Sequence, residues 1–139
     1  MRDTSAIRDF LFAGRAVFTI ESAKTRAWYT YRVRAGKKDR GYASPRWFVD
    51  VLTGPSNTDN FTYMASLDER GNLYPARGKE KAPSILALGW FLRQLDGKSL
   101  PPSVTFHHEG RCGRCGRTLT TPDSTASGLG PECRAKMGR

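Results

Sequence analysis

The stretch WYTYRVR, residues 28–34, decides how the chain is read as a fold. Tyr29, Tyr31 and Val33 alternate with Trp28, Thr30, Arg32 and Arg34. Successive side chains of an extended strand point to opposite faces, so one side is apolar while the other is basic and carries a tryptophan. This pattern predicts a strand with one face on a core and the other toward solvent.

Neighbouring segments repeat the pattern. Ala16 to Ile20 reads as a strand before it. After it comes AGKKDRGYASPR, a loop too polar for a core. Trp47 to Leu52 follows, with Trp47, Val49 and Val51 on one face, and beyond the turn-rich TGPSNTDN the residues Phe61, Tyr63, Ala65 and Leu67 alternate again. DERGN supplies another turn, and Leu73 with Tyr74 can add a very short fifth strand. The expected sheet is an antiparallel meander of four to five strands.

Two helices are expected to accompany it. Thr4 or Ser5 can cap the first, in which Ile7, Phe10 and Leu11 share a face and Gly14 marks the stop. In the second, PSILALGWFLRQLDG, Pro83 occupies the first turn, and Ile85, Leu88, Leu92 and Leu95 recur every three or four residues before Gly97. The periodicities place Trp47 and Trp90 in the core. SLPPS at 99–103 breaks regular structure. The expected organisation is an α+β body over 1–98, a linker over 99–106 and a small module over 107–139.

The 139 residues carry a formal charge of +10. Between Lys24 and Arg46 eight basic residues face one acidic residue, and from His107 onward six face three. The rest of the chain is balanced, so the excess is concentrated and polyanions are the first class of partner to consider. No apolar run approaches the ~20 residues of a membrane span. Asp3 and Asp9 in the N-terminal stretch, which lacks a small-residue cleavage site, argue against a secretory leader and for the cytoplasm.

All three cysteines and both histidines lie in HHEGRCGRCGRTLTTPDSTASGLGPECRAK, residues 107–136. Three thiols cannot all pair, and Cys112 and Cys115 stand in C-x-x-C spacing, which lets two thiolates from one tight turn hold the same ion. Cys133 follows where Gly130 and Pro131 can start a short helix. A closed tetrahedral site needs a fourth ligand, for which His108 is the first candidate and His107 the alternative. The expectation is one structural zinc ion in a treble-clef-like or ribbon-like module. The compressed HHEG-CGRCG order does not match the arrangement of zinc deaminases. No catalytic constellation, nucleotide-binding glycine loop or small-molecule site is recognised, so the chain is not read as an enzyme.

The motif from His108 to Arg117, with Leu119, Thr120, Pro122, Ser124 and the G-x-G-P-x-C of Gly128 to Cys133, resembles small phage-encoded proteins that end in a zinc-finger-like domain of unknown function. Thr125 departs from the isoleucine-like residue of that pattern. The resemblance implies a phage or prophage origin, the cytoplasm of a bacterial host, and the metal ligands; it implies no activity.

Two functions follow as expectations. The first is a nucleic-acid-binding protein acting on DNA or RNA mainly through the phosphate backbone, with Trp28, Arg32, Arg34, Lys37, Lys38, Arg40 and Arg46 on the body and Arg111, Arg114, Arg117, Arg134 and Lys136 on the module. An exposed indole among guanidiniums suits stacked bases and phosphates. The second is a phage accessory or counter-defence protein that binds and inhibits a host protein complex.

Overall fold

The computed structural model describes residues 2–36, 45–54, 60–97 and 99–137. In chain order the elements are α1 (Thr4–Leu11), β1 (Arg15–Ser22), β2 (Trp28–Ala35), β3 (Arg46–Leu52), β4 (Phe61–Asp68), β5 (Leu73–Pro75), α2 (Pro83–Gln94), β6 (Val104–His108), α3 (Pro122–Ser127) and α4 (Pro131–Lys136). The fold is α+β.

The strands form one antiparallel sheet in the order β5-β4-β3-β2-β1-β6. The meander from β1 to β5 is the one the alternation predicts. The sixth strand lies partly in the stretch read as a linker: Val104 to Phe106 continue into His107 and His108 and pair with β1, Ile20 opposite Phe106 and Phe18 opposite His108. Helix α2 has already ended at Gln94, and immediately beyond SLPPS a strand begins.

Both helices lie on the face carrying Phe18, Tyr31 and Phe106. Phe106 is the centre of that layer: its ring stacks on Phe18 at 5.1 Å and on Phe91 of α2 at 5.8 Å, and meets Phe10 of α1 edge-on at 5.8 Å. Such aromatic pairs contribute about 0.5–1.5 kcal/mol each beyond the area they bury. Ile85, Leu88, Phe91, Leu92 and Leu95 are buried from α2. The Tyr31 hydroxyl donates to the Ser84 carbonyl at 2.6 Å, which satisfies a buried polar group and ties β2 to the start of α2. Burial, reinforced by Tyr29, pushes the Tyr31 hydroxyl far above the usual phenol range.

Three local expectations are corrected. The cap of α1 is Asp3, whose carboxylate accepts from the Ser5 N–H at 3.1 Å, while Thr4 is buried in the first turn and its hydroxyl donates to the Gly97 carbonyl. Trp90 stands 40% exposed on the outer side of α2, because Phe91 and Leu92 take the buried stripe. In β4 the register slips: Val49 pairs with Ala65 but Asp50 with Tyr63, so Met64 is an extra residue. This bulge turns Met64 inward and carries Phe61 and Tyr63 to the opposite face, whereas Ala65 and Leu67 stay in the core as the alternation predicts.

Candidate metal centre and the arginine face beside it

The C-terminal segment is built around a backbone knuckle. Cys112 N–H donates to the Arg117 carbonyl and Gly116 N–H to the Cys112 carbonyl, both at 2.8 Å, and Gly116 takes a φ of +80°, which closes the turn at no steric cost for glycine. Thr121 caps α3 by accepting from Ser124 N–H at 3.2 Å, and α3 ends at Gly128. Gly113 N–H then reaches the Gly128 carbonyl at 2.8 Å. Pro131 opens α4 and sets Cys133 in its first turn, as the sequence predicts.

This architecture brings the sulfurs of Cys112, Cys115 and Cys133 within 4.8 Å of one another, the one such donor group among the described residues. The cluster could hold a metal ion. Cys112 Sγ accepts from the N–H groups of Gly130 at 3.3 Å and Arg114 at 3.4 Å, and Arg114 Nη1 donates to Cys133 Sγ at 3.6 Å. Burial pushes the Cys112 thiol up, but the N–H groups of Gly130, Cys115 and Arg114 outweigh it and bring it to about 7. Cys133 is raised, first by burial and then by the thiols beside it, against the Arg114 guanidinium. Three crowded sulfurs, one of them with its thiol lowered by backbone N–H groups, are a donor set suited to a thiophilic cation, whose charge would relieve the crowding of thiolates.

His108 does not join the cluster. It faces inward from β6, its Nδ1 accepts from Gly110 N–H at 2.9 Å, and its Nε2 lies 2.6 Å from the Thr125 carbonyl. Both ring nitrogens are thus taken by the backbone, and the imidazole ties β6 to α3. His107, one residue earlier, faces the other way and stands 3.5 Å from Glu21. The period of two that separates adjacent strand residues keeps the pair from converging on one ion.

The knuckle is docked on the body. Arg15 N–H donates to the Gly113 carbonyl at 2.6 Å, and Arg15 Nη1 to the Cys115 carbonyl at 3.3 Å. A Cβ at Gly113 would lie 2.6 Å from the Phe10 ring, so the approach of knuckle to α1 requires glycine.

The outer sheet face gathers the basic residues of the body. Trp28 is 62% exposed there and does not pack beneath α1. Arg32 and Arg34 share the buried carboxylate of Asp50, each at 2.8 Å, and lie over aromatic rings, Arg32 4.6 Å from the Phe61 centroid and Arg34 5.2 Å from that of Phe48. Arg46 lies 4.9 Å from the Tyr74 centroid. Burial pushes the Asp50 carboxyl up, but the hydrogen bonds and charges of Arg34 and Arg32 prevail and hold it below the usual carboxylate range.

The module's cations divide. Arg111 turns toward the sheet, where it lines a concavity with Arg15, Arg32 and Arg34. Arg114, Arg117 and Lys136 border the cysteines instead, and Arg134 lies on α4 apart from both concavities. Lys37, Lys38 and Arg40 lie outside the described residues. Sequence reading missed Arg15 because it was counted only as a balanced charge; its place opposite Arg34 in the β1–β2 register is the signal that finds it.

The family of unknown function DUF6011 matches residues 104–138. The match begins with β6 and runs through α4, so it takes in the strand that completes the sheet together with the cysteine knuckle. No curated protein and no solved structure matches the chain. Among the described residues, no helix is long and apolar enough to cross a membrane.

Proposed function

We propose that the protein binds nucleic acid through the outer face of its sheet, and that the C-terminal segment is a treble-clef-like module holding one structural zinc ion. Cys112, Cys115 and Cys133 supply three of the four positions of a tetrahedral site. Bound zinc would hold the knuckle in shape against β1.

The observation that carries the reading is the make-up of the sheet face. Arg15, Arg32, Arg34 and Arg46 are interleaved with Phe48, Phe61, Tyr63 and Tyr74, with the Trp28 indole exposed at one end. Guanidiniums follow a phosphate backbone, while bases stack on exposed rings for about 1–3 kcal/mol each. A phage or prophage origin, and with it the cytoplasm of a bacterial host, belongs to the same proposal and rests on the C-terminal motif.

Fluorescence anisotropy of the zinc-loaded chain with labelled single-stranded and duplex DNA and RNA, over a series of salt concentrations, tests this. Arg111 joins the four arginines of the face and Asp50 cancels one of the five, so about four phosphates are neutralised and the log-log salt slope for a single strand is expected near −3. Loss of all binding at near-physiological salt would overturn the proposal.

One observation favours a second reading, a phage accessory or counter-defence protein that inhibits a host protein complex. Leu86 and Trp90 stand exposed one helical turn apart on α2, beside a concavity of about 410 Å³ of mixed charge, edged by Arg70 and Arg93, by Glu80 and by the Arg8–Asp96 pair. If oligonucleotides do not bind, this surface becomes the one to pursue with protein partners.

A further inference from the structure

The seam between the sheet and the cysteine knuckle is a concavity of about 290 Å³ lined by Arg15, Val17, Arg32, Arg34, Arg111 and Gly116. Four of its six residues are arginines, drawn from three places in the chain that only the fold brings together: β1, β2 and the turn before Cys112. Their states differ. Arg32 and Arg34 are committed to Asp50. Arg15 and Arg111 have no carboxylate within ion-pair distance among the described residues; each donates from Nη1 to a knuckle carbonyl, Arg15 to Cys115 and Arg111 to Gly116, at 3.3 Å in both cases.

Those two hydrogen bonds use one donor of each guanidinium and leave four, in a planar fork whose geometry matches two phosphate oxygens. The knuckle carbonyls hold both forks on the same side of the seam, so part of the cost of ordering two long side chains is met before any ligand arrives. Arg32 and Arg34 form a fixed positive wall behind them.

We propose that this seam is a phosphate-binding subsite, gripped by Arg15 and Arg111, and that its ligand is an internal phosphodiester of a single-stranded nucleic acid. The seam continues through Val17 and Arg32 onto the aromatic part of the sheet face, so a chain can run on from the bound phosphate. Trp28 lies six residues from Arg34 along β2, about 20 Å at ~3.3 Å per residue. Bases on that side therefore have a stacking ring within reach of a short extended strand. The strand assignment rests on the nucleic-acid reading above; the phosphate subsite does not.

Two probes keep the two claims apart. Side-chain Nε–H resonances of the arginines in the zinc-loaded full chain are followed during titration with pyrophosphate, and separately with a fifteen-residue oligothymidine, with and without a 5′-phosphate. Arg15 and Arg111 are expected to shift with pyrophosphate. If they stay unmoved, the subsite is overturned, whatever the oligonucleotide does. With oligothymidine, the same two resonances and the Trp28 indole N–H should move together, and the 5′-phosphate should make no difference. A gain of affinity only with the 5′-phosphate would overturn the internal assignment in favour of a strand end. Absence of oligonucleotide binding would remove the nucleic-acid reading while leaving a pyrophosphate result to stand by itself. The double variant Arg15→Gln/Arg111→Gln, with zinc content checked, should lower the salt slope for oligothymidine by about 1 to 1.5. An unchanged slope in a variant that keeps its zinc also overturns the subsite.

Discussion

Asp50 shows how one side chain holds a face together. It is 2% exposed in a central strand and is bracketed by two guanidiniums that are themselves partly open to water. Asp50→Asn would leave both arginines beside a neutral amide. The expected loss of stability is about 2 kcal/mol, below the ~3–5 of a wholly buried pair because Arg32 and Arg34 keep some solvent. Since the folded carboxyl titrates below its unfolded value, its contribution is complete above the unfolded value near 3.9 and fades as pH falls through the folded one. Urea unfolding of wild type and variant should therefore differ at neutral pH and converge in strong acid. A difference that persisted at low pH would show that Asp50 acts by shape alone.

The cysteines and His108 make an opposed pair of predictions. Cys115→Ser should abolish stoichiometric zinc binding, read by elemental analysis after dialysis. His108→Asn should keep one zinc per chain and cost about 1–2 kcal/mol, the value of losing a hydrogen-bonded tie. A His108 variant without zinc would restore the histidine as a ligand. The three cysteines were legible in the sequence because C-x-x-C spacing is a local property. The contacts of His108 were not legible because its partners, Gly110 and Thr125, are backbone groups, and no residue type announces a carbonyl.

At the level of elements, alternation and turn chemistry sufficed for β1 through β5 and for both long helices. They failed in two places for physical reasons. The bulge at Met64 changes which residues share a face without changing any residue's character, so the alternation ran Phe61 and Tyr63 together with Ala65 and Leu67. β6 is five residues long and lies between a proline pair and the metal motif, so both neighbours drew the reading away from a strand. The joint between α1 and the knuckle rests on Gly113, where a Cβ would also come within 3.0 Å of the Phe10 carbonyl oxygen. Because Phe10 is fully buried, neither ring nor carbonyl can move aside. Gly113→Ala should therefore destabilise the chain by about 1–3 kcal/mol in thermal or urea unfolding. An unaffected variant would mean that the knuckle pivots on the body instead of being keyed to it.

For the whole molecule, the sequence located two basic zones but not that they meet. Only the sheet, by setting Arg15 opposite Arg34 and turning Arg111 back toward them, makes one surface of the two. Pairing in this sheet is mostly between neighbours in the chain, with one exception. β1 borders β2 across a short turn on one side, but on the other it waits for β6, so that Phe18 meets His108. On the ribosome this imposes an order of events. The meander and α2 emerge first, while one flank of β1 stays bare, with its N–H and C=O groups and the cavity meant for Phe106 exposed to any strand that can add to them. The last quarter of the chain thus acts as a late-arriving closure. A nascent chain halted before residue 104 is expected to be the most adhesive species this protein passes through.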